Sequence, residues 1–375
     1  MAEKALIAMS GGVDSSVAAA LMIEQGYECI GVTLKLFNDE DDEPDGRLLR
    51  TSAKSCCSLA DVNDARQAAY KLDMPHYVLN FTEIFQSEVI RRFIETYEEG
   101  ATPNPCIDCN RYIKFSCLLN RARQLDFDLL ATGHYAQIEK SGDRWLLKKA
   151  ADLKKDQSYV LYCLDQKTLA RTRFPLGNLA KSEVREIAGK RGFINADKQD
   201  SQDICFVRDG DYGAFMETFT GKRYPQGDIL DPSGNVIGRH RGIVRYTLGQ
   251  RRGVGVAVNH PVYVIDKDTA RNTITLGPED LLYRKTLVAD RINLIACETL
   301  EKPMRVNVKT RYLQTEHPAW AVQTGPDEIR VDFDEGQRAM TPGQAAVLYD
   351  GDIVVGGGTI KSVEPSGPGV PKKSP

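Results

Sequence analysis

A glycine- and serine-rich segment near the N-terminus has the composition of a phosphate-binding loop. It spans Ser10–Ser16 (SGGVDSS), after an apolar run at Lys4–Met9 and before another at Val17–Ile23. These runs predict a buried strand and a helix, and paired glycines between them leave backbone N–H groups pointing outward at the helix N-terminus. The alternative is a plain turn in which serine or aspartate caps the helix. The complete heptad favours polyphosphate binding, with Asp14 as a ligand of magnesium beside the phosphates.

Two cysteines spaced C-x-x-C are a second candidate for chemistry. Cys106 and Cys109 lie in Thr102–Asn110 (TPNPCIDCN), where the prolines predict an extended loop that cannot be helical. A helix is predicted to begin near Arg111, and a thiolate close to a helix N-terminus is stabilised. Cys109 is therefore expected to be a better nucleophile than an ordinary cysteine. A third thiol, Cys205, lies at the end of the same half of the chain.

Three interpretations of these thiols remain open on the residues alone. In the first, Cys109 and Cys205 form a catalytic pair, in which one thiol carries a persulfide and the other attacks or resolves it. In the second, Cys106, Cys109 and Cys205 hold three corners of a [4Fe–4S] cluster whose fourth iron binds sulfide. In the third, the C-x-x-C is structural, for example half of a zinc site, although no second C-x-x-C or histidine pair completes it.

The first half of the chain alternates strand and helix patterns. The predicted strands are Lys4–Met9, Glu28–Leu36, His76–Asn80 and Asp128–Thr132, and the predicted helices between them include Leu59–Leu72 and Thr82–Tyr97. This alternation predicts an α/β fold with a doubly wound, Rossmann-like parallel sheet, which binds ligands at the carboxyl ends of its strands. Ser10, Leu34 and Gly133 fall near such ends, so one nucleotide is expected to contact all three.

The second half has a different pattern, with short β-type runs separated by turns from Tyr224 onward. We therefore predict a catalytic domain at 1–209, a small linking domain at 210–278, a C-terminal antiparallel β-barrel of about six strands at 279–363 and a disordered tail at 364–375. The acidic run at Asn38–Asp45 is expected to be a mobile loop.

Bulk composition constrains the class of protein. The chain has 375 residues, a formal net charge of −3 and nine cysteines. This charge excludes a uniformly basic nucleic-acid binder, so any such surface must be local. Between Asp231 and Asp266 no residue is acidic, and the stretch contains Arg239, His240, Arg241, Arg245, Arg251 and Arg252. Many cysteines without a signal peptide or a membrane-spanning run predict a cytoplasmic protein with no membrane partner.

Several motifs occur in an order that resembles the tRNA-specific 2-thiouridylases, the MnmA family of the PP-loop ATP pyrophosphatases. They are Ser10–Ser15 (SGGVDS), Cys56-Cys57 with Asp61–Arg66 (DVNDAR), Thr102–Cys109, Ala131–Ala136 (ATGHYA), Lys155–Tyr159 (KDQSY), Asp203–Phe206 (DICF), Tyr246–Gly253 (YTLGQRRG) and Pro342–Ala346 (PGQAA). The likeness runs from the N-terminus to about Val363. It implies that ATP adenylates the C2 carbonyl oxygen of the wobble uridine in a subset of tRNAs, with release of pyrophosphate. Sulfur then displaces AMP to give 2-thiouridine.

The resemblance also implies roles for individual residues. The residues implied to bind ATP are Ala8, Met9, Ser10, Gly11, Gly12, Val13, Asp14, Ser15, Leu34 and Gly133. Cys109 is implied as the nucleophile and Cys205 as the persulfide carrier. Those implied to line the target base are Asn104, Pro105 and Cys106. Those implied to contact tRNA are His134, Lys155, Asp156, Gln157, Arg311, Tyr312 and Gln344. The two C-terminal domains are implied to bind tRNA as well.

One position departs from the family pattern, since many members carry aspartate where this chain has Cys106. The departure creates the C-x-x-C, so the persulfide and iron–sulfur mechanisms both stay open at this point. The implied sulfur donor is a cysteine desulfurase or a sulfur-relay protein. Two other classes compete with this reading: an ATP-pyrophosphatase amide ligase, in which the thiols would be dispensable, and a non-catalytic RNA-binding module, which would not need the Ser10–Ser16 loop.

Overall fold

The computed structural model describes residues 2–37, 58–198, 204–207, 210–256 and 259–364. The predicted acidic loop at Asn38–Asp45, the Cys56-Cys57 pair and the predicted tail beyond residue 364 lie outside the described residues. The chain divides into two compact units, each made of separated stretches. The first lies within Met1–Ile90, Pro105–Gly210 and Asp352–Val354, and the second within Arg91–Asn104, Asp211–Gly351 and Val355–Pro375.

The first unit is built on a parallel sheet of five strands in the order β3-β2-β1-β4-β7. The strands are β1 (Lys4–Ala8), β2 (Glu28–Lys35), β3 (His76–Asn80), β4 (Leu129–Thr132) and β7 (Thr172–Arg173). All pairings within it are parallel, which confirms the predicted α/β class. The chain winds outward in one direction from β1 to β3 and in the other from β1 to β4, so a crevice is expected between β1 and β4. The two-residue β7 was not predicted, because so short a segment has no periodicity.

Helices and one hairpin complete this unit. The helices are α1 (Val13–Glu24), α2 (Leu59–Lys71), α3 (Thr82–Phe85), α5 (Pro105–Asp108), α6 (Leu118–Gln124), α7 (Ser158–Leu161), α8 (Gln166–Ala170) and α9 (Lys181–Lys190), with π-helical turns at Gln86–Arg91 and Cys109–Cys117. The hairpin is β5 (Gln137–Ser141) and β6 (Arg144–Lys148). The small side chains of Ala18, Ala19 and Ala20 in α1 are buried in the same core as Ile7 and Ala131. Their size lets α1 pack closely on the sheet.

The helix that carries the C-x-x-C begins earlier than the sequence predicted. The extended loop expected through Asn110 is wrong, because α5 begins at Pro105 and helical structure continues through Cys109–Cys117 into α6. Proline is well tolerated at the first helical position, where its missing N–H costs no hydrogen bond and its fixed φ suits the helix. Cys106 and Cys109 therefore lie in the first two turns of this helix.

The second unit contains a small sheet and a β-barrel. The small sheet has the order β10-β11-β8-β9 and comprises β8 (Gly227–Leu230), β9 (Val236–His240), β10 (Tyr263–Asp268) and β11 (Thr273–Gly277). Two helices, α4 (Arg92–Glu98) and α10 (Tyr212–Thr220), belong to the same unit. The rings of Tyr97 and Tyr212 stack with centroids 5.9 Å apart, which joins these two helices.

The barrel is formed by six antiparallel strands and closes on itself through the pairing of its first and last strands. Its order is β12-β15-β14-β13-β16-β17, and the strands are β12 (Tyr283–Leu294), β13 (Met304–Lys309), β14 (His317–Gly325), β15 (Glu328–Arg338), β16 (Ala345–Asp350) and β17 (Ile353–Val363). Leu287, Val308, Val331 and Leu348 fill the interior. The predicted C-terminal barrel is confirmed. No helix among the described residues is long and apolar enough to cross a membrane.

Candidate active site

The loop after β1 is held in shape by its own serines. The Ser15 hydroxyl accepts the Ser10 N–H at 3.2 Å and donates to the Gly12 carbonyl at 3.0 Å, and the Ser16 hydroxyl donates to the same carbonyl at 3.2 Å. Gly12 is the N-cap of α1, and no side-chain cap bond is present there. The first turn of α1 therefore presents its N–H groups and its partial positive charge to an external acceptor such as phosphate.

A cavity of about 210 Å³ lies at the carboxyl ends of β1, β2 and β4. It is lined by Ala8, Met9, Ser10, Asp14, Ser15, Val32, Leu34, Leu36, Lys114, Thr132, Gly133, His134 and Gln157. This is the crevice at which the strand order reverses, where doubly wound sheets bind their ligands. The structure thus brings Ser10, Leu34 and Gly133 to one cavity, whereas Gly11, Gly12 and Val13 do not line it.

Gly133 is required by a close approach of two backbones. A Cβ atom at Gly133 would lie 2.7 Å from the carbonyl carbon of Asp14 and 2.7 Å from the Ser15 nitrogen. The end of β4 therefore packs directly against the first turn of α1.

Replacing Gly11 by alanine is expected to cost about 3 kcal/mol or more of unfolding free energy. Gly11 has a φ of +72°, and an added Cβ would lie 2.2 Å from the Asp61 carbonyl oxygen in α2, which is backbone and cannot rotate away. Urea denaturation of Gly11→Ala should be compared with Gly26→Ala, which has a φ of +88° but open space around its Cβ. The control should lose only about 1 kcal/mol from backbone strain, and equal losses in the two variants would contradict the proposed clash.

The carboxylate of Asp14 is engaged by two side chains that the sequence did not identify as site residues. Its Oδ1 accepts the Tyr135 hydroxyl at 2.7 Å, and Lys181 Nζ donates to both carboxylate oxygens at 2.7 and 2.8 Å. Lys181 is only 8% exposed, and its ammonium also lies 5.7 Å from the centre of the Tyr135 ring. The Lys181 ammonium therefore forms a largely buried ion pair with Asp14, which itself lines the cavity beside the loop.

This arrangement bears on the metals expected from the sequence. Because both Asp14 oxygens accept hydrogen bonds from Lys181, the ammonium stands where a magnesium ion would stand against that carboxylate. Among the residues that the structure describes, no group of three or more histidine, cysteine, aspartate or glutamate side chains is arranged to hold a metal ion. This covers Cys106, Cys109 and Cys205. The described donors therefore do not fit a resident magnesium site or an iron–sulfur cluster.

Two side chains that follow α9 in the chain, those of Asn195 and Lys198, form hydrogen bonds to the Ser10–Ser16 loop. The side-chain amide of Asn195 donates to the Gly11 carbonyl and to the Ser16 hydroxyl, both at 3.0 Å. Lys198 Nζ donates to the Gly11 carbonyl at 3.3 Å, to Asp61 at 2.6 Å and also to Asp64. Burial lowers the pKa of Lys198, but these carboxylates raise it overall, so the ammonium stays charged. The Asp61–Arg66 motif therefore serves to hold the loop.

His134 lines the cavity as a neutral imidazole. Its Nδ1 lies 2.7 Å from the Thr132 hydroxyl, and its ring contacts Phe115 and Phe174 with centroids 5.6 and 5.9 Å away. Burial, and then the charge of Lys114, hold the pKa of His134 well below its ordinary value. A neutral ring can accept or donate one hydrogen bond to a ligand without adding charge.

Acidification should destabilise the protein partly through His134. Below about pH 6.5 the unfolded chain binds a proton at this residue that the folded chain does not, so the unfolding free energy falls as the pH falls. When the pH is lowered from about 7.5 to about 5.5, the unfolding free energy of His134→Gln should fall by about 1 kcal/mol less than that of the parent. Urea denaturation at the two pH values measures this difference. The control is His260→Gln, since His260 is exposed. If the unfolding free energies of the parent and of His134→Gln fall equally on acidification, the low pKa attributed to His134 is wrong.

The described thiols differ in their exposure to solvent. Cys106 is exposed, and Cys109 and Cys205 are partly exposed. Burial raises the pKa of Cys29 and Cys163 to about 11, so these two stay protonated and are poor nucleophiles. Phe206, next to Cys205, packs on Phe85 with ring centroids 5.8 Å apart, which anchors this stretch to the first unit.

Several residues implied to contact tRNA also have internal roles. The Asp156 carboxylate, which is buried, accepts bonds from Ser158 and from the Ala150 N–H. Gln157 accepts the Tyr135 N–H at 2.9 Å, while Lys155 is partly exposed. These bonds tie the Lys155–Gln157 run to the strand end that carries His134.

In the second unit, Gln344 positions the stretch that leads to Asn104. Its side-chain amide donates to the carbonyl oxygens of Thr102 and Pro103 at 3.0 and 2.9 Å, and the Thr102 N–H donates to the Pro342 carbonyl at 2.9 Å. Gln344 was expected to contact tRNA, and the structure gives its amide this structural role.

The remaining basic residues of the second unit differ in their availability. Arg311 donates to the Ala339 carbonyl and the Thr341 hydroxyl, and Tyr312 beside it is exposed. In the basic stretch, Arg245 is paired with Asp211 and Glu217. The stretch between Asp231 and Asp266 is therefore only partly a free cationic surface, with Arg251 and Arg252 exposed.

Three domain-family models match this chain and define its class of protein. A family model described as "tRNA methyl transferase HUP domain" matches residues 3–209, one described as "tRNA methyl transferase PRC-barrel domain" matches 213–278, and one described as "Aminomethyltransferase beta-barrel domain" matches 284–360. The parallel sheet with its crevice thus belongs to a HUP-domain protein that carries two appended β-rich segments.

Relatives over nearly the whole chain define the family. The "tRNA-specific 2-thiouridylase MnmA" of Symbiobacterium thermophilum is 51% identical over 364 residues, which cover 96% of this chain and 93% of that protein. The protein of the same name from Clostridioides difficile is 50% identical over 364 residues, covering 96% and 99%. The chain belongs to the family of the tRNA-specific 2-thiouridylases.

Proposed function

We propose that this chain is an ATP-dependent tRNA-uridine 2-sulfurtransferase that converts the wobble uridine of a subset of tRNAs to 2-thiouridine. The observation that carries the proposal is the Ser10–Ser15 loop at the mouth of the crevice, in a chain 51% identical to a 2-thiouridylase over 96% of its length. The partners we propose are tRNA and a sulfur donor, either a cysteine desulfurase or a relay protein. ATP enters as its magnesium complex, and the reaction takes place in the cytoplasm, where tRNA is modified.

In the first half-reaction the C2 carbonyl oxygen of uridine attacks the α-phosphorus of ATP. The bond between the α- and β-phosphates breaks, and pyrophosphate leaves with its electron pair. The α1 N-terminus supplies positive potential where that negative charge develops. The Lys181 ammonium, which lies 2.7 Å from Asp14, offsets the negative charge of that carboxylate beside the loop. The adenylated oxygen is then a good leaving group, whereas the free carbonyl oxygen is a poor one.

In the second half-reaction we propose that Cys205 carries the donor's sulfur as a persulfide. Its terminal sulfur attacks C2 and AMP leaves, so a disulfide links the uridine to Cys205. The Cys109 thiolate then attacks the Cys205 sulfur, which leaves sulfur on the uridine and a Cys109–Cys205 disulfide. An external dithiol supplies two electrons to reduce it. Cys106, with its chain neighbours Asn104 and Pro105, is proposed to contact the base.

A reconstituted assay tests this function. The purified chain is incubated with unmodified tRNA, the magnesium complex of ATP, cysteine, a cysteine desulfurase and a dithiol reductant. Pyrophosphate and 2-thiouridine are measured in parallel, with and without an iron chelator. Both products should require tRNA, and neither should respond to the chelator. Pyrophosphate release that needs an amine but no tRNA would instead identify an amide ligase, and tRNA binding without pyrophosphate release would identify a non-catalytic RNA-binding module.

A further inference from the structure

A larger groove, of about 690 Å³, lies in the first unit outside the cavity described above. One wall is a single face of the helical run that begins with α5, and it presents Arg111, Phe115, Ser116, Leu119, Asn120 and Arg123. These residues recur at intervals of three or four, as one side of a helix requires. The facing wall, around α8, presents Leu164, Asp165, Lys167, Thr168 and Arg171. No part of the proposed reaction uses this groove.

The lining is strongly cationic on a chain whose net charge is −3. Its charged residues are Arg111, Arg123, Lys167 and Arg171 against the single acid Asp165. That acid is already engaged, because its carboxylate accepts the Thr168 N–H at 2.8 Å and caps α8. No carboxylate among the described residues forms an ion pair with Arg123, Lys167 or Arg171, all of which are exposed. By contrast, Arg245 in the second unit pairs with two acids.

Arg111 forms a fixed point at one end of the groove. Its guanidinium lies 6.0 Å from the ring centres of both Tyr112 and Tyr162 and donates to the Tyr162 hydroxyl at 3.5 Å. Burial lowers the pKa of Arg111, but Tyr162 and Cys163 raise it overall, so it keeps its charge. A guanidinium already held in place loses little freedom when it binds an anion.

The apolar part of the lining does not suit a protein partner. Phe115 and Leu164 are each 2% exposed, and Leu119 is 7% exposed. None of these side chains therefore offers an apolar anchor that a partner protein could bury. The polar part consists of Ser116, Asn120 and Thr168, which provide hydroxyl and amide groups between the cations. Spaced cations with neutral hydrogen-bonding groups between them match a sugar–phosphate backbone.

We propose that this groove binds the sugar–phosphate backbone of the substrate tRNA, an inference that rests on the proposed function. The helical run that forms one wall carries Cys106 and Cys109 in its first two turns. From Arg111 to Arg123 the run extends roughly 18 Å at about 1.5 Å per residue, which is long enough for several successive phosphates. The groove thus holds a strand along the same helix that presents the proposed nucleophile.

The test is the salt dependence of tRNA binding. In the variant Arg123→Gln/Lys167→Gln/Arg171→Gln, the slope of log affinity against log salt should become shallower by about two to three. Affinity near physiological salt should fall about tenfold or more. The matched control is Arg121→Gln/Lys140→Gln/Lys190→Gln, which removes the same charge from exposed positions of the same unit that do not line the groove. Binding is followed by fluorescence anisotropy of labelled tRNA, with thermal midpoints to verify folding.

A slope equal to that of the control triple would overturn the proposal. An unchanged tRNA slope together with weaker binding of a purified cysteine desulfurase would overturn it in favour of protein docking. The proposed function is scored separately by 2-thiouridine formation in the parent chain. If the parent forms no 2-thiouridine while the groove variant still shows the shallower salt dependence of tRNA binding, the groove assignment stands and the proposed function fails.

Discussion

Cys109→Ser is expected to reduce 2-thiouridine formation at least about a thousandfold while tRNA-dependent pyrophosphate release continues. Serine has nearly the same shape, but its hydroxyl is not ionised near neutral pH and cannot attack the Cys205 sulfur of the uridine–Cys205 disulfide. Cys109 lies in the second turn of a helix and is partly exposed, so the substitution should leave the fold intact. The two products are measured in the same reaction, pyrophosphate enzymatically and 2-thiouridine by nucleoside mass spectrometry.

The matched control is Cys117→Ser, at the end of the same π-helical segment. Burial, and then Glu88, raise the pKa of Cys117, so its thiol is a poor nucleophile and thiolation should persist. Cys205→Ser should behave like Cys109→Ser, because the proposed reaction needs both sulfurs. Loss of thiolation in Cys117→Ser but not in Cys109→Ser would contradict the assignment of the nucleophile.

Cys106 decides between the two sulfur mechanisms. Under the persulfide mechanism, Cys106→Ser should keep most of its thiolation, and the anaerobically purified parent should contain no stoichiometric iron or sulfide. If Cys106→Ser loses all activity and the parent contains iron and labile sulfide, the cluster mechanism is correct and the persulfide mechanism is wrong.

Lys181→Met is expected to slow tRNA-dependent pyrophosphate release by about a hundredfold or more, since removal of one preorganised positive group from an active site has effects of that order. Lys181 Nζ lies 2.7 and 2.8 Å from the two Asp14 oxygens beside the phosphate-binding loop. Methionine keeps the length and the apolar contacts but leaves the Asp14 carboxylate uncompensated, so the site becomes repulsive to phosphate. The rate is measured at saturating tRNA over a range of ATP concentrations.

Lys190→Met is the control, because Lys190 lies in the same helix α9 but is exposed and pairs with Glu186. Lys181→Arg keeps the charge and should recover part of the rate. All variants are assayed well below their thermal midpoints, since loss of a buried charge partner also costs stability. A rate in Lys181→Met equal to that of Lys190→Met would contradict the prediction and show that the reaction does not need the Lys181 ammonium.

The sequence was sufficient where local chemistry decides the structure. Paired glycines between an apolar strand and an apolar helix predicted the loop at Ser10–Ser16, and α1 begins inside it at Val13. Strand and helix periodicities predicted the parallel sheet and the C-terminal barrel, because the spacing of apolar residues along an element shows which of its faces is buried. The motif order predicted the family, which the 51% identical relative confirms.

Only the tertiary structure decided which distant groups meet. Nothing in the residues near Lys181 indicates that it binds Asp14, 167 positions away, or that Gln344 holds Thr102, 242 positions away. The same is true of the groove, whose two walls come from separate helices. The start of the C-x-x-C helix at Pro105 was also missed, because proline both ends and begins helices and only its context distinguishes the two. Local propensity specifies elements, whereas long-range packing selects the partners of each side chain.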